Sequence, residues 1–443
     1  MKRIVIIGAV GGGATVAGQI RHYDSSAKIT VFDRDSTMSY AACGTPYAIG
    51  DVIEDETSLI MADPKSFKDK RNIDVFMQHE VLEIQKEDKY VLVKDIASGK
   101  LIKEPYDFLI LAPGGTAITP IIEGLETASA FSLRSYGDMQ KIKAYIHAER
   151  PENCVISGAG FIGIEMAENL KNLGIDVHLV HKSPYVMSIL DRDISEQIHT
   201  ELALNDVKVY LDNEIVRINA KEIELADGSG LEADFIIMSI GLQPNIELAT
   251  QAGLAIGKTG GILTNEFMQT SEPSIYALGD ASENFDFITK DPKRVPLAWP
   301  AHRQAFIISR HLLGEPVAKK GLLGTSVVKV FNLTAAMTGL NERTIQEKGL
   351  RAETVVHRGN SNAGYYPDHS PITLKVHFDP DTRKILGAQC IGGKGVDKRI
   401  DVIVTAIYGG LTIEDLQELE LCYAPPFSSP KDPVNMVGYR AVK

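Results

Sequence analysis

Short apolar runs that break into glycine recur along the chain. Lys2–Asp35 reads as an apolar strand, a glycine turn, a helix with small residues in its first turns, and a second apolar strand. Glu152–Pro184 repeats this order, and Gly8 and Gly13 return as Gly158 and Gly163, each 150 residues later. Three further runs, Asp107–Gly114, Asp234–Gly241 and Ser274–Asp280, predict strands that enter small-residue turns, and a helix is predicted from about Pro300 to Leu313. Strands alternating with helices in this way predict an α/β chain with parallel sheets.

Glycine spacing adds chemistry to the pattern. In the second copy Gly158-x-Gly160-x-x-Gly163 is complete: one glycine makes the tight turn, one lets backbone approach a pyrophosphate, and one lets helix pack on strand. The helix N-terminus then offers free N–H groups to phosphates. In the first copy Val10 holds the middle position, with Gly11 and Gly12 keeping the loop small. Its second strand ends at Asp33, which can accept hydrogen bonds from a ribose diol. The matching position in the second copy is His181, followed by Lys182 and Ser183. Basic and hydroxyl groups there accommodate a 2′-phosphate, so NADPH is expected over NADH, which stays possible.

Composition narrows the partners. The 443 residues carry 46 Lys+Arg against 58 Asp+Glu, a formal charge of −12. An acidic chain without basic runs argues against a general nucleic-acid or membrane-surface binder, so any anionic ligand must meet local basic groups. Met1-Lys2-Arg3 ahead of Ile4–Val10 resembles a signal peptide, but the run breaks into Gly11-Gly12-Gly13 without a small-residue cleavage pattern. Nothing later reaches the roughly 18 consecutive apolar residues that span a bilayer. A cytoplasmic protein is expected. The four cysteines, Cys43, Cys154, Cys390 and Cys422, contain no CxxC pair, which excludes a disulfide scaffold and gives no metal signature.

Gly8–Gly13 with Asp33, Leu111-Ala-Pro-Gly114, the second glycine fingerprint and Tyr276-Ala-Leu-Gly-Asp280 stand in the order seen in flavoprotein disulfide reductases with two dinucleotide-binding domains, and the chain resembles that family over its whole length. The resemblance implies two Rossmann-like domains and a C-terminal α+β dimerisation domain: FAD-binding residues 1–115 and 245–320, NAD(P)H-binding residues 116–244, and a dimerisation domain over 321–443. It implies FAD contacts at Gly8, Gly12, Gly13, Asp33, Arg34, Val81, Ala112, Gly114, Gly279, Asp280 and Tyr423. Nicotinamide contacts are implied at Gly158, Gly160, Gly163, His181 and Lys182.

Cys43 lies in Ser39-Tyr-Ala-Ala-Cys43-Gly-Thr-Pro46, with Pro46 suited to the first turn of a helix. A sulfur just before a helix feels the positive end of its dipole, which favours the thiolate. Glutathione-reductase-like members carry CxxxxC here, but position 48 is Ala48. The sequence therefore resembles the single-cysteine branch, which includes coenzyme A disulfide reductases, persulfide and polysulfide reductases, NADH oxidases and NADH peroxidases. The oxidases and peroxidases place a histidine in the first glycine loop, and none stands in Ala9-Val10-Gly11-Gly12. Asn362-Ala-Gly-Tyr365-Tyr366-Pro-Asp-His and Tyr423-Ala-Pro-Pro-Phe-Ser-Ser-Pro-Lys431 closely resemble stretches of the coenzyme A disulfide reductases.

In that family two tyrosines of the partner subunit approach the cysteine, and the matching residues are Tyr365 and Tyr423, which implies a homodimer. The implied CoA contacts are Thr15, Gln19, Ser39, Arg71, Arg303 and Lys431. Two departures stand out: Tyr40 and Ala42 replace the family's usual Phe and Asn, and His22 replaces a basic residue. The implied reaction passes electrons from NADPH through FAD to a Cys43–S–S–CoA mixed disulfide. One nucleophilic sulfur suffices because the substrate supplies the other. The alternatives are a persulfide or polysulfide reductase, disfavoured by the lack of a rhodanese-like segment after residue 443; an oxidase or peroxidase cycling Cys43 through sulfenic acid; and a flavin-dependent sensor or electron carrier that docks a protein. Cys154, Cys390 and Cys422 are read as structural.

Overall fold

The apolar run after Arg3 becomes the central strand of a parallel sheet. In the computed structural model, which describes residues 1–442, five parallel strands lie in the order Ile275–Ala277, Phe108–Leu111, Arg3–Ile7, Lys28–Phe32 and Asp74–Phe76. Successive side chains of a strand point to opposite faces, and both faces here are covered. Ile4 and Ile6 pack with Val16, Ala17 and Ile20 of the helix Gly11–Tyr23 and with Ile307 and Ile308 of the helix Ala298–Leu312. Val5 and Ile7 pack with Phe32, Leu109 and Leu111 and with Val91 and Val93 of a three-stranded antiparallel sheet. Burial on both faces is why these strands read as unbroken apolar runs. Truncating one such isoleucine to alanine costs roughly 2–5 kcal/mol. These elements belong to one compact unit, Met1–Ile118, Leu133–Ala148 and Gly241–Leu322.

The second unit contains Thr119–Ser132, Glu149–Ile240 and the residues from Leu323 onward. Its parallel sheet runs in the order Lys208–Tyr210, Asp176–Val180, Asn153–Ser157, Phe235–Met238 and Ala130–Ser132. The same unit carries a five-stranded antiparallel sheet in the order Ser326–Val330, Leu333–Gly339, Ile385–Gly392, Pro371–Phe378 and Glu353–Asn360, together with helices Val396–Gly409 and Pro433–Ala441. The class is α/β, with two Rossmann-like sheets and a C-terminal α+β part.

Buried carboxylates join the two sheets of the second unit. Glu168, on the helix Phe161–Asn172, accepts from the Phe331 backbone N–H at 2.8 Å and pairs with Lys329. Glu201 accepts from the Asn332 N–H at 3.0 Å. Lys329 is half exposed, so solvent screens its charge, and the main-chain donors to the two buried carboxylates carry the tie. Among the described residues no helix is long and apolar enough to cross a membrane.

Candidate active site

Both glycine turns are built alike. Gly8 and Gly158 adopt φ of +103° and +107°, and a Cβ on Gly13 or Gly163 would lie 1.8 or 1.9 Å from the carbonyl oxygen of Gly8 or Gly158. No side chain fits at these positions. By contrast, a Cβ on Gly11 or Gly160 would meet no protein atom within 4 Å. The helices that begin there have no capping side chain and no acidic residue in the first turn, which leaves their N-terminal N–H groups and dipole for an anion.

The residue ending the second strand distinguishes the copies. Asp33 Oδ2 accepts from the Ala9 N–H at 2.7 Å and Oδ1 from the Asp35 N–H at 2.9 Å. Burial pushes this carboxyl up, against the pull of those bonds. In the second copy His181 Nδ1 accepts from the Ala159 N–H at 3.2 Å. Burial lowers the pKa of this ring, and in the neutral ring an accepting Nδ1 puts the proton on Nε2. That Nε2 is buried and has no hydrogen-bond partner. Lys182 is exposed and pairs with Glu214 at 3.2 Å, a contact of a kind worth little on a surface.

At the end of the strand Ile275–Ala277, the Gly279 N–H donates to Gln304 Oε1 at 2.7 Å. Asp280 Oδ2 lies 2.7 Å from Arg134 Nη2, and Arg134 Nε also donates to the Gly115 carbonyl at 3.0 Å. Burial raises the Asp280 carboxyl, with Arg134 and Arg294 opposing. Ala112 and Gly114 follow the neighbouring strand; Val81 is buried in the apolar cluster of the covering sheet, and Arg34 is exposed.

Cys43 is exposed and in no disulfide. It lies inside a single 3₁₀ turn, Ala42–Gly44, which runs into the five-residue helix Thr45–Ile49 with Pro46 in its first turn. So short a helix offers less dipole than the sequence suggests. Nearby in sequence, Ser39 takes a φ of +47° and donates its N–H to the Ala9 carbonyl at 2.9 Å. Thr15 and Gln19 lie one turn apart on the first helix. Between them a Cβ on Gly18 would be 2.3 Å from Arg71 Nη1, so glycine lets Arg71 cross the helix. Thr15 Oγ1 hydrogen-bonds His302 Nδ1 at 2.9 Å, beside Arg303 on the helix Ala298–Leu312. Gln19 Oε1 is buried without a partner.

In the second unit Tyr365 Oη and Tyr423 Oη are 3.2 Å apart. The Tyr365 hydrogen bond raises the Tyr423 hydroxyl. The loops carrying them are tied by Arg399, which is 1% exposed. Arg399 pairs with Asp432 at 2.8 Å and donates to the Ser361 carbonyl at 2.7 Å. Burial pushes Asp432 up, but Arg399 and the Ser428 hydroxyl bring it below its ordinary range. Lys431 is exposed, 4.6 Å from the Tyr439 ring centroid.

Residues 2–305 match the family model described as pyridine nucleotide-disulphide oxidoreductase, and residues 325–433 match the dimerisation domain of the same family. The chain belongs to this oxidoreductase family. It is 38% identical over 444 residues to the coenzyme A disulfide reductase of Staphylococcus epidermidis, with 100% of each chain covered. The crystal structure of reduced Bacillus anthracis CoADR-RHD matches with a TM-score of 0.98 at 43% identity, over 99% of this chain and 80% of that one. An NAD-dependent persulfide reductase from A. fulgidus matches with a TM-score of 0.96 at 35% identity, over 99% and 83%.

Membership of the pyridine nucleotide-disulphide oxidoreductases implies FAD and a nicotinamide cofactor, and the residues fit both. Each turn has an open cradle at Gly11 or Gly160, and His181, hydrogen-bonded to the second turn through Nδ1, keeps a buried Nε2 without a protein partner. Sequence reasoning missed Arg134, His302 and Arg399. Arginine and histidine are common in exposed positions, and nothing local marks their partners; only the position of Arg303, next to His302, offered a hint. One expectation is corrected. Cys154 and Cys390 are buried, and burial pushes both thiols up, but Cys422 is exposed and lines a cavity of about 540 Å³ with Tyr423, Lys394 and Lys398. A neighbour in sequence to Tyr423, it follows that loop to the surface.

Proposed function

We propose that the chain is a cytoplasmic, homodimeric reductase that cleaves CoA disulfide to two CoA thiols at the expense of NADPH, through a Cys43–S–S–CoA mixed disulfide. The observation that carries this reading is the exposed Cys43 sulfur, outside any disulfide, in a chain whose sequence offers no second cysteine nearby. Disulfide exchange then needs the substrate's own sulfur pair. Full-length identity to a coenzyme A disulfide reductase supports CoA as the thiol.

In this reading residues 1–115 and 245–320 hold FAD, 116–244 hold the nicotinamide, and 321–443 form the subunit interface. When bound, FAD supplies the electron pair of the nicotinamide hydride. Asp33 and Asp280 would bind its ribose and ribityl hydroxyls, and the open space at Gly11 would admit its pyrophosphate, with Gly8, Gly12 and Gly13 shaping the close-packed turn around it. His181 would hold the 2′-phosphate of NADPH through its Nε2 donor, with Lys182 supplying charge. Cys43 attacks one sulfur of CoA disulfide: the Cys43–S bond forms, the CoA S–S bond breaks, and one CoA thiolate leaves. Two electrons then cleave the mixed disulfide, which releases the second CoA and restores the Cys43 thiolate. Tyr365 and Tyr423 of the partner hydrogen-bond and protonate the departing thiolate. Thr15, Gln19, Ser39, Arg71 and Arg303, with Lys431 of the other protomer, hold the CoA phosphates, which an acidic protein must meet with local cations.

NADPH oxidation measured separately with CoA disulfide, polysulfide, peroxide and oxygen tests the proposal. CoA disulfide is expected to give the highest kcat/KM. A higher value with polysulfide would instead favour the activity named for the A. fulgidus relative, and no advantage over oxygen would refute disulfide specificity.

A further inference from the structure

The segment after His181 ends in a buried ionic knot that no part of the reaction uses. Asp191, Lys375 and His377 are 3%, 4% and 0% exposed. Asp191 Oδ2 lies 2.8 Å from His377 Nε2 and 3.0 Å from Lys375 Nζ. Lys375 Nζ also meets Asp193 at 2.8 Å and Glu342 at 2.7 Å, and His377 Nδ1 hydrogen-bonds Thr354 Oγ1 at 2.9 Å. Asp191, Glu342 and His377 have the spacing of a metal site, but the Lys375 ammonium occupies the place of a cation. The knot is therefore structural in form, and its use follows from what hangs on it.

Residues 182–190 are suspended between the second glycine turn and the antiparallel sheet of the same unit. At one end the Met187 N–H donates to the Ala159 carbonyl at 2.8 Å, with Met187 at a φ of +46°. At the other, Asn341 Nδ2 donates to the Ile189 carbonyl at 2.8 Å. The Asp191 N–H donates to the buried Gln389 Oε1 at 2.7 Å, and Asp191 Oδ1 accepts from the Glu342 N–H at 2.8 Å. Ser195 Oγ donates to the Val186 carbonyl. Near His181 the loop is also tied by the Asp212 N–H, which donates to the Ser183 carbonyl at 3.2 Å, and by the Lys182–Glu214 pair. From Val186 onward its ties outside the glycine turn lie on the antiparallel sheet, the short helix Glu342–Glu347 with its cap, or the helix Arg192–Leu204 that Asp191 starts.

We infer that Asp191 is a positioning residue for nicotinamide binding: it sets the 182–190 loop against the glycine turn to which His181 is hydrogen-bonded. This rests on the nicotinamide reading of that turn. A buried carboxylate with this many charged and hydrogen-bonded partners holds one geometry, because every alternative leaves a charge unpaired in low dielectric. The loop is thereby ordered before the ligand arrives, and binding does not bear that entropy.

Two variants of the FAD-loaded enzyme test the role. Asp191→Asn removes the charge. Asn341→Asp keeps the helix-capping acceptor, which takes the Thr344 N–H at 2.8 Å, but deletes the donor to Ile189. The KM for NADPH, and the Kd for NADP⁺ read by equilibrium titration without turnover, are expected to rise about tenfold in Asp191→Asn and about threefold in Asn341→Asp, with the KM for the disulfide and the flavin content unchanged. Lys375→Arg, which keeps the cation, should stay near the parent. If Asp191→Asn does not fold, Asn341→Asp alone decides. An unchanged KM for NADPH, or an equal rise for the disulfide, overturns the role of Asp191. A parent that oxidises neither NADPH nor NADH overturns the functional reading itself.

Discussion

The two βαβ units share one backbone plan and carry different chemistry at matching positions. In each, the strand-end residue accepts from the N–H of the alanine after the first glycine, Asp33 from Ala9 and His181 from Ala159. In each, a residue with left-handed backbone then returns its N–H to that alanine's carbonyl, Ser39 in one and Met187 in the other. The offset from Asp33 to His181 is 181 − 33 = 148, and Cys43 plus 148 is Asp191. Where the first copy places an exposed sulfur, the second places a buried carboxylate tied into an ionic knot. Main-chain hydrogen bonds repeat the loop; the side chains it presents decide whether it reacts or anchors.

The comparison breaks most sharply at its reactive end. Cys43→Ser should lower turnover with CoA disulfide by at least about 10³-fold, as removal of a nucleophile does, while leaving NADPH-driven flavin reduction intact. Loss of both would mean that Cys43 is needed for the flavin site itself. Next come the glycines. Gly163→Ala puts a Cβ about where the Gly158 carbonyl oxygen lies, 1.9 Å away, and should lower stability by roughly 3 kcal/mol, read by denaturant unfolding. Gly160→Ala meets no protein atom and should keep parental stability yet raise the KM for NADPH. Equal behaviour of the two would show that neither space belongs to a ligand.

Smaller effects sharpen the Asp33–His181 difference. His181→Asp should shift the kcat/KM ratio toward NADH by about tenfold, or ~1.4 kcal/mol; an unchanged ratio removes His181 from specificity. The pH dependences should run in opposite senses. His181 is lowered from 6.5 by burial, so its neutral form suits the fold, and its contribution is present above pH 6.5 and is lost as pH falls through the folded value. Asp33 is raised from 3.8 by burial, so its contribution is present below that value and is lost as pH rises through the folded one. Tm against pH, compared with His181→Gln and Asp33→Asn, should show these two signs.

The sequence made legible what depends on local spacing. Gly8, Gly13, Gly158 and Gly163 had to be glycine because of contacts within a few residues and with an adjacent strand, and the apolar strands showed their two-sided burial directly. The pairs Asp191–His377, Arg399–Asp432 and Arg134–Asp280 were not legible. Their members lie far apart in the chain, and nothing local to either member names its partner. The position of Cys422 was missed for the converse reason: a lone cysteine is most often buried, and here the neighbouring Tyr423 loop carries it outward.

The account stands on Cys43 holding CoA covalently. Intact-mass measurement of the oxidised enzyme, followed by mapping of the modified peptide, tests this directly. One CoA-sized adduct per chain is predicted, located at Cys43, released by a thiol reductant and absent from Cys43→Ser. No adduct, or one confined to Cys422, would contradict it.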